Sequence, residues 1–352
     1  MMFENFRTEE IDTGEGRISI RRAGSGPGLL LLHGFPEMHL MWRDVAPKLA
    51  DRLSVVCADL RGYGKSSCPP SSPDHAPYAK RAMAADLAAL MTKLGFSRFM
   101  VAGHDRGGRV AYRLALDHPD RVEKLAVLDI IATADAWDRA DARLALGYWP
   151  WSLLAQPEPL PEAIMAAAAD AIVDNALESW GSSPAAFPAE VRQAYADALR
   201  DPAHAHAICE EYRAAATLDR EHDHADRAAG RRITCPVLAL WSGHGALAEW
   251  YAQEGGPLAL WQEWAGNVSG GAMPGGHFFP EEFPGETAAA LHDFLMSRGP
   301  SAADLDTSAR SRNRPRPAAT AGATFFFAGT IVMKHSASPY RSKFKEDRYD
   351  QA

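Results

Sequence analysis

Cysteine is scarce in this 352-residue chain: Cys57, Cys68, Cys209 and Cys235, none in CxxC spacing. That excludes a disulfide framework and a thiolate zinc site, and it reads as reduced thiols in a cytoplasmic protein. Positive charge is not in excess either. The formal net charge is −8, so the bulk composition points to neither nucleic acid nor an anionic membrane as partner. No apolar run approaches the ~20 residues that span a bilayer. The first residues, Met1-Met2-Phe3-Glu4-Asn5-Phe6-Arg7, lack the basic-then-apolar order of a signal peptide. The Gly-rich stretch Asp59-Leu60-Arg61-Gly62-Tyr63-Gly64-Lys65-Ser66-Ser67 lacks the spacing of a phosphate-binding loop. Glu221-His222-Asp223-His224-Ala225-Asp226 has ligand-type residues but no zinc spacing, and reads as solvated surface.

What is present is a repeated strand–helix rhythm. Arg17–Arg21 alternates as an edge strand. Leu29–Leu32, Leu53–Ala58, Phe99–Ala102 and Leu125–Leu128 are short apolar runs that read as buried strands. Helical patterns cover Trp42–Leu49 and Tyr78–Leu94. Such alternation predicts a mostly parallel sheet with right-handed crossovers, whose chemistry collects at the carboxyl ends of the strands. From about 134 to 231 the rhythm stops. The stretch is Ala-rich and helical, punctuated by Pro157, Pro159, Pro161, Pro184 and Pro188. It reads as a helical cap inserted after the sixth strand, leaving 1–133 and 232–298 as the core. Cys235–Trp241 resumes the sheet, a last strand is expected near Glu263–Val268, and Pro284–Met296 closes it with a helix. Beyond 298 the character changes: residues 300–352 carry nine Lys/Arg against five Asp/Glu, a net +4. The tail 299–352 reads as disordered or loosely attached.

The chain is organised around Gly103-His104-Asp105-Arg106-Gly107-Gly108-Arg109, which lies between a buried strand and a helix. Strand, Gly-x-nucleophile-x-Gly, helix is the nucleophile elbow of an α/β-hydrolase fold. Serine is missing from its centre. Asp105 stands there, and a carboxylate attacks an sp3 carbon to leave an alkyl-enzyme ester that water must cleave. The chain order nucleophile, acid, His is completed by Asp129, at the end of a strand, and His277, in Gly275-Gly276-His277-Phe278. His277 would activate water and Asp129 would orient it. The other place for the acid, after Trp241, holds Ser242-Gly243-His244-Gly245 and no carboxylate. His33-Gly34-Phe35-Pro36 would supply an oxyanion donor from the Phe35 N–H, paired with that of Arg106. Arg106 and Arg109 share a helix face and suit a small carboxylate held bidentately; a surface ion pair is the alternative for each. His33, His104 and His244 read as structural.

Together His33–Pro36, Asp59–Gly64, Gly103–Arg109, Leu128–Ile130, Leu154–Pro157, Glu211–Ala215 and Gly276–Phe278 resemble the haloacetate (fluoroacetate) dehalogenases. The resemblance covers about residues 3–298. It implies an α/β-hydrolase core with a helical cap, displacement of halide from a small 2-haloacid by Asp105, and hydrolysis of the ester to the hydroxy acid (glycolate). It implies a substrate carboxylate on Arg106 and Arg109, halide-pocket residues Trp151 and Tyr212 with a further pocket residue Trp180, and a homodimer. No metal or organic cofactor is implied, since nucleophile, base and water suffice. One departure stands out: Pro150 occupies the position of the family's halide-binding His. Proline offers no side-chain donor, so chloro- and bromoacetate are expected to be better substrates than fluoroacetate. Two other readings of the same residues are an epoxide hydrolase with the same triad and a non-catalytic binding protein on the hydrolase scaffold. Arg106 argues against the first, since epoxide hydrolases typically carry an apolar residue after the nucleophile; the intact Asp105–His277–Asp129 set argues against the second.

Overall fold

Four consecutive leucines, Leu29–Leu32, have no exposed surface, and successive side chains point to opposite faces of a sheet. Leu30 and Leu32 pack in one apolar layer with Met83, Leu87 and Val110, while Leu29 and Leu31 pack in the other with Trp42, Leu49 and Leu291. A strand covered on both faces needs no polar alternation, and each buried leucine contributes about 1.5–3 kcal/mol. A computed structural model describes residues 3–297 of the chain.

The sheet has eight strands: β1 (Arg7–Asp12), β2 (Arg17–Ala23), β3 (Gly28–Leu32), β4 (Ser54–Ala58), β5 (Phe99–His104), β6 (Val122–Leu128), β7 (Val237–Ser242) and β8 (Val268–Met273). Their order is β1-β2-β4-β3-β5-β6-β7-β8, with β2 antiparallel to both neighbours and β3 to β8 parallel. β5 lies between β3 and β6. The loop after β3, the turn after β5 and the end of β6 therefore meet above the same sheet edge.

Three expectations need correction. Arg17–Arg21 is not an edge strand: β2 is paired on both sides, and the edge is β1, whose charged Arg7, Glu9, Glu10 and Asp12 discourage further pairing. Trp42–Leu49 is not one helix, but a 3-10 turn at His39–Trp42 and a four-residue helix at Ala46–Leu49. Glu263 belongs to the helix Gly256–Trp264, and the last strand comes later, at Val268–Met273. Its Val-Ser-Gly-Gly-Ala-Met sequence has no apolar alternation to betray it. Gly270 is required there (φ +152°), because a Cβ would run into the Ala239 carbonyl of β7.

Between β6 and β7 the chain forms seven helices, the longest being Leu160–Ser179, Ala189–Arg200 and Pro202–Ala216. The last begins cleanly: Asp201 accepts from the Ala203 N–H at 2.8 Å, and Pro202 occupies the first helical position, where its missing N–H is not needed. The final helix runs Pro284–Met296. No described helix is long and apolar enough to cross a membrane. The tail 299–352 lies outside the described residues.

The turn after β5 is crowded by backbone. A Cβ on Gly103 would collide with the Gly107 backbone, and one on Gly107 with the backbone of Leu32 and His33. Gly103→Ala should therefore cost about 1–3 kcal/mol, read from urea denaturation, and an unchanged midpoint would contradict this crowding.

Candidate active site

Asp105 begins the helix Asp105–Asp117 directly after β5 with φ +42°, a left-handed conformation that a non-glycine residue holds only under surrounding constraint. The close approach of Gly34 supplies part of that constraint: a Cβ there would overlap the Asp105 side chain. The Phe35 N–H donates to Asp105 Oδ2 at 3.1 Å. Burial opposes the charge of Asp105, but His277, Arg106, Arg109 and His104 outweigh it and hold the carboxyl below the usual carboxylate range. Asp105 is thus ionised at neutral pH.

Asp129 follows β6, also left-handed (φ +53°). Its Oδ1 accepts from the Ser242 N–H at 2.7 Å and its Oδ2 lies 2.6 Å from His277 Nδ1. The chain after Trp241 therefore offers a backbone donor to Asp129 instead of an acid of its own. The His277 N–H donates to the Trp180 carbonyl at 2.8 Å, and its ring stands edge-on to Trp180 at 5.4 Å.

Asp105, Arg109, Asp129, Tyr148, Pro150, Trp151, Trp180, Tyr212, Leu247 and His277 line one cavity. Its free space is about 20 Å³, room for little more than a water molecule. Phe35 reaches Asp105 with its backbone, while its ring packs edge-on against Tyr212 at 5.7 Å.

The two arginines part company. Neither is a surface residue: Arg106 and Arg109 are 0% and 4% exposed. Arg106 is not part of the cavity wall. Its Nε and Nη2 grip Glu211 at 2.8 Å under the Tyr212 ring. Glu211 also pairs with Lys80, which Asp219 binds in turn at 3.2 Å. Lys80, Arg106, Glu211 and Asp219 thus balance one another. Arg109 is the cation that faces the cavity. It donates to the Ile131 carbonyl at 2.9 Å and lies 4.4 Å from the Trp151 ring, but among the described residues it forms no salt bridge and its Nε has no partner. Burial and the charge of Arg106 press its pKa downward, against the pull of Asp105.

Sequence reasoning missed Tyr148 as a cavity wall and Glu211 as the partner of Arg106. Tyr148 was visible only as one aromatic among several in Tyr148-Trp149-Pro150-Trp151. The acidic stretch 221–226 is occupied elsewhere, since Asp223 and Asp226 both bind Arg113. Among the described residues no group of His, Cys, Asp and Glu is arranged to hold a metal ion.

Residues 27–255 match the α/β-hydrolase fold family. A fluoroacetate dehalogenase from a Burkholderia species is 46% identical over 295 residues, covering 84% of this chain and 95% of the relative. The chain belongs to the haloacetate (fluoroacetate) dehalogenase family of α/β-hydrolases. A soluble epoxide hydrolase of Corynebacterium sp. strain C12 is 34% identical across 74% of this chain and 87% of its own. Among solved structures, an α/β-hydrolase from Nostoc sp PCC 7120 superposes with a TM-score of 0.81 at 47% identity, covering 84% of this chain and all of that one. The family match spans the elbow and the whole helical insertion, Pro150 included.

Removing Glu211 would strand the buried Arg106 and leave Lys80 with Asp219 alone. Glu211→Ala should destabilise the protein by about 3–5 kcal/mol in urea denaturation. A loss below about 1 kcal/mol would show that Arg106 and Lys80 do not depend on it.

Proposed function

We propose that the protein hydrolyses the carbon–halogen bond of a small 2-haloacid such as haloacetate, giving the hydroxy acid (glycolate) and halide. The observation that carries this reading is the pairing, in one small cavity, of an ionised carboxylate with a buried arginine that lacks an anionic partner. A substrate carboxylate would complete Arg109, and Trp151 beneath the guanidinium would fix its plane.

Asp105 Oδ2 is held by the Phe35 N–H, which leaves Oδ1 to attack. A new C–O bond forms at the substrate α-carbon as the carbon–halogen bond breaks, and the halide leaves with the electron pair. His277 donates its Nδ1–H to Asp129 Oδ2, so Nε2 is the base. It removes a proton from water, whose oxygen attacks the Asp105 carboxyl carbon. The resulting oxyanion is met by the Phe35 N–H and, in this reading, by the Arg106 N–H. Collapse releases the hydroxy acid, to which His277 returns the proton. The departing halide would meet donors from Trp151, Tyr212 and Trp180, whose buried Nε1 has no protein partner. Pro150 adds none.

The epoxide hydrolase reading draws support from Tyr148 and Tyr212, both on the cavity wall, where a phenol could protonate a ring oxygen. The unpaired Arg109 favours the haloacid. The family resemblance also supports a homodimer, which sedimentation of the purified protein would decide.

Halide release from fluoro-, chloro- and bromoacetate should be seen with the wild type, and should fall by about a thousandfold or more in Asp105→Asn. No release from any of the three, with diol formed from styrene oxide instead, would transfer the reading to epoxides; neither product would leave a binding protein. Chloroacetate should outrun fluoroacetate, and equal rates would show that Pro150 costs nothing. Arg109→Met should raise KM for chloroacetate far more than it lowers kcat, whereas an unchanged KM would remove Arg109 from carboxylate binding.

A further inference from the structure

Behind the catalytic side chains lies a second set of buried polar groups that the proposed reaction does not use. Glu37, in the loop after β3, is 1% exposed. Its Oε2 accepts from the Gly34 N–H at 3.1 Å, one residue before the Phe35 N–H that holds Asp105, and from His104 Nδ1 at 3.0 Å. His104 is the last residue of β5, immediately before Asp105. Its other nitrogen, Nε2, lies 2.8 Å from the His277 carbonyl oxygen. Both partners of the ring are acceptors only, so both nitrogens carry protons and His104 is an imidazolium. The charge of Glu37 makes this tenable despite full burial, and His104 is pushed up to about 9.

Glu37 has one further neighbour. Glu281, in the short helix Phe279–Glu282 that follows His277, has its carboxyl beside that of Glu37, close enough for each charge to act on the other. Two neighbouring buried carboxyl groups do not both stay ionised, and one proton between them answers both. Glu37 Oε1 and Glu281 Oε2 are buried, and no protein donor reaches either. The other groups facing Glu281 are Arg43, which pairs with its Oε1, and Tyr195 from the helix Ala189–Arg200, whose hydroxyl donates to the same oxygen at 3.2 Å. Both occupy Oε1 and leave Oε2 for Glu37.

We propose that Glu37 is a positioning residue for this site: sharing one proton with Glu281, its carboxyl group ties the oxyanion loop, the end of β5 before the nucleophile and the segment carrying the base into one unit. This rests on the roles of Phe35, Asp105 and His277 given above. Each of those three is reached from Glu37 through a single intermediate: Gly34, the His104 backbone and the His104 ring. Glu37 touches neither substrate nor reacting atoms. Its effect is on where the N–H of the oxyanion hole and the imidazole of the base stand relative to Asp105.

Glu281 is pushed up to about 8 by burial and by the charge of Glu37, against Arg43. A folded-state pKa raised above the unfolded value means that the native state holds the proton more tightly. Stability from this proton is complete below about pH 4.5, is lost between there and about pH 8, and does not change further above. Glu281→Gln keeps a donor for Glu37 and removes the titration. The melting-temperature difference between Glu281→Gln and wild type should therefore grow from pH 5 to pH 8, by roughly 3 °C or more, and then level off. A difference that stays flat across this range overturns the shared proton. This arm needs no substrate, so it stands even if the dehalogenase reading fails. In the activity arm, Glu37→Gln should lower kcat for chloroacetate by about tenfold or more with KM within about twofold. The fall of wild-type kcat above about pH 8 should be absent in Glu281→Gln. An unchanged kcat in folded Glu37→Gln, or the same alkaline fall in Glu281→Gln, overturns the positioning role. Absence of Asp105-dependent halide release from the wild type fails the dehalogenase reading instead, and with it the positioning role.

Discussion

The site depends on space at the crossing of β3 and β5. Asp105 has to sit at φ +42° with its carboxyl against the loop after β3, and that geometry exists only because Gly34, Gly103 and Gly107 carry no Cβ. The strain is local and the restraint is not: β5 is paired on both sides, and its turn is wedged against the β3 backbone. A sheet buried on both faces is stiff enough to hold one unfavourable residue in place. The same rigidity carries Asp129, itself left-handed, at the end of the neighbouring strand.

Charge is the second constraint. The helical insertion meets the core through buried ion pairs: Glu211 with Arg106 and Lys80, Asp219 with Lys80, Asp223 and Asp226 with Arg113. Buried pairs of this kind add little net stability, because desolvation offsets most of the attraction, but each is costly to break. They therefore specify where the insertion sits more than they strengthen it. Arg109, on the cavity wall, is left outside this pairing among the described residues. The buried carboxyl groups behind His277 follow the opposite rule, Glu37 being answered by His104 and Glu281 by Arg43.

Much of this was legible from the residues. Short apolar runs marked β3 to β7 because those strands are buried on both faces, and the elbow was visible because its glycines are demanded by backbone crowding at fixed spacing. The failures have physical causes. β8 is built from Ser, Gly and Ala, so no periodicity announces it. β1 is a charged edge strand that looks like a loop. The helix expected at Trp42–Leu49 is broken because Trp42 and Leu49 are both fixed in the apolar layer of Leu29 and Leu31, and packing overrides a weak local preference.

What the sequence determined by itself was chemistry that lies close along the chain: an Asp in place of Ser at an elbow, two arginines one helical turn apart, and a His in a Gly-rich loop. Tertiary structure decided which of these groups are paired and which are free. Arg106 and Arg109 are indistinguishable in sequence, being adjacent on one helix face. They differ because Glu211, 105 residues further on, reaches one and not the other. Glu37 and Glu281 look like ordinary surface acids until the fold brings them together. Burial, counter-charge and desolvation are properties of three-dimensional neighbours, and no pattern along the chain encodes them.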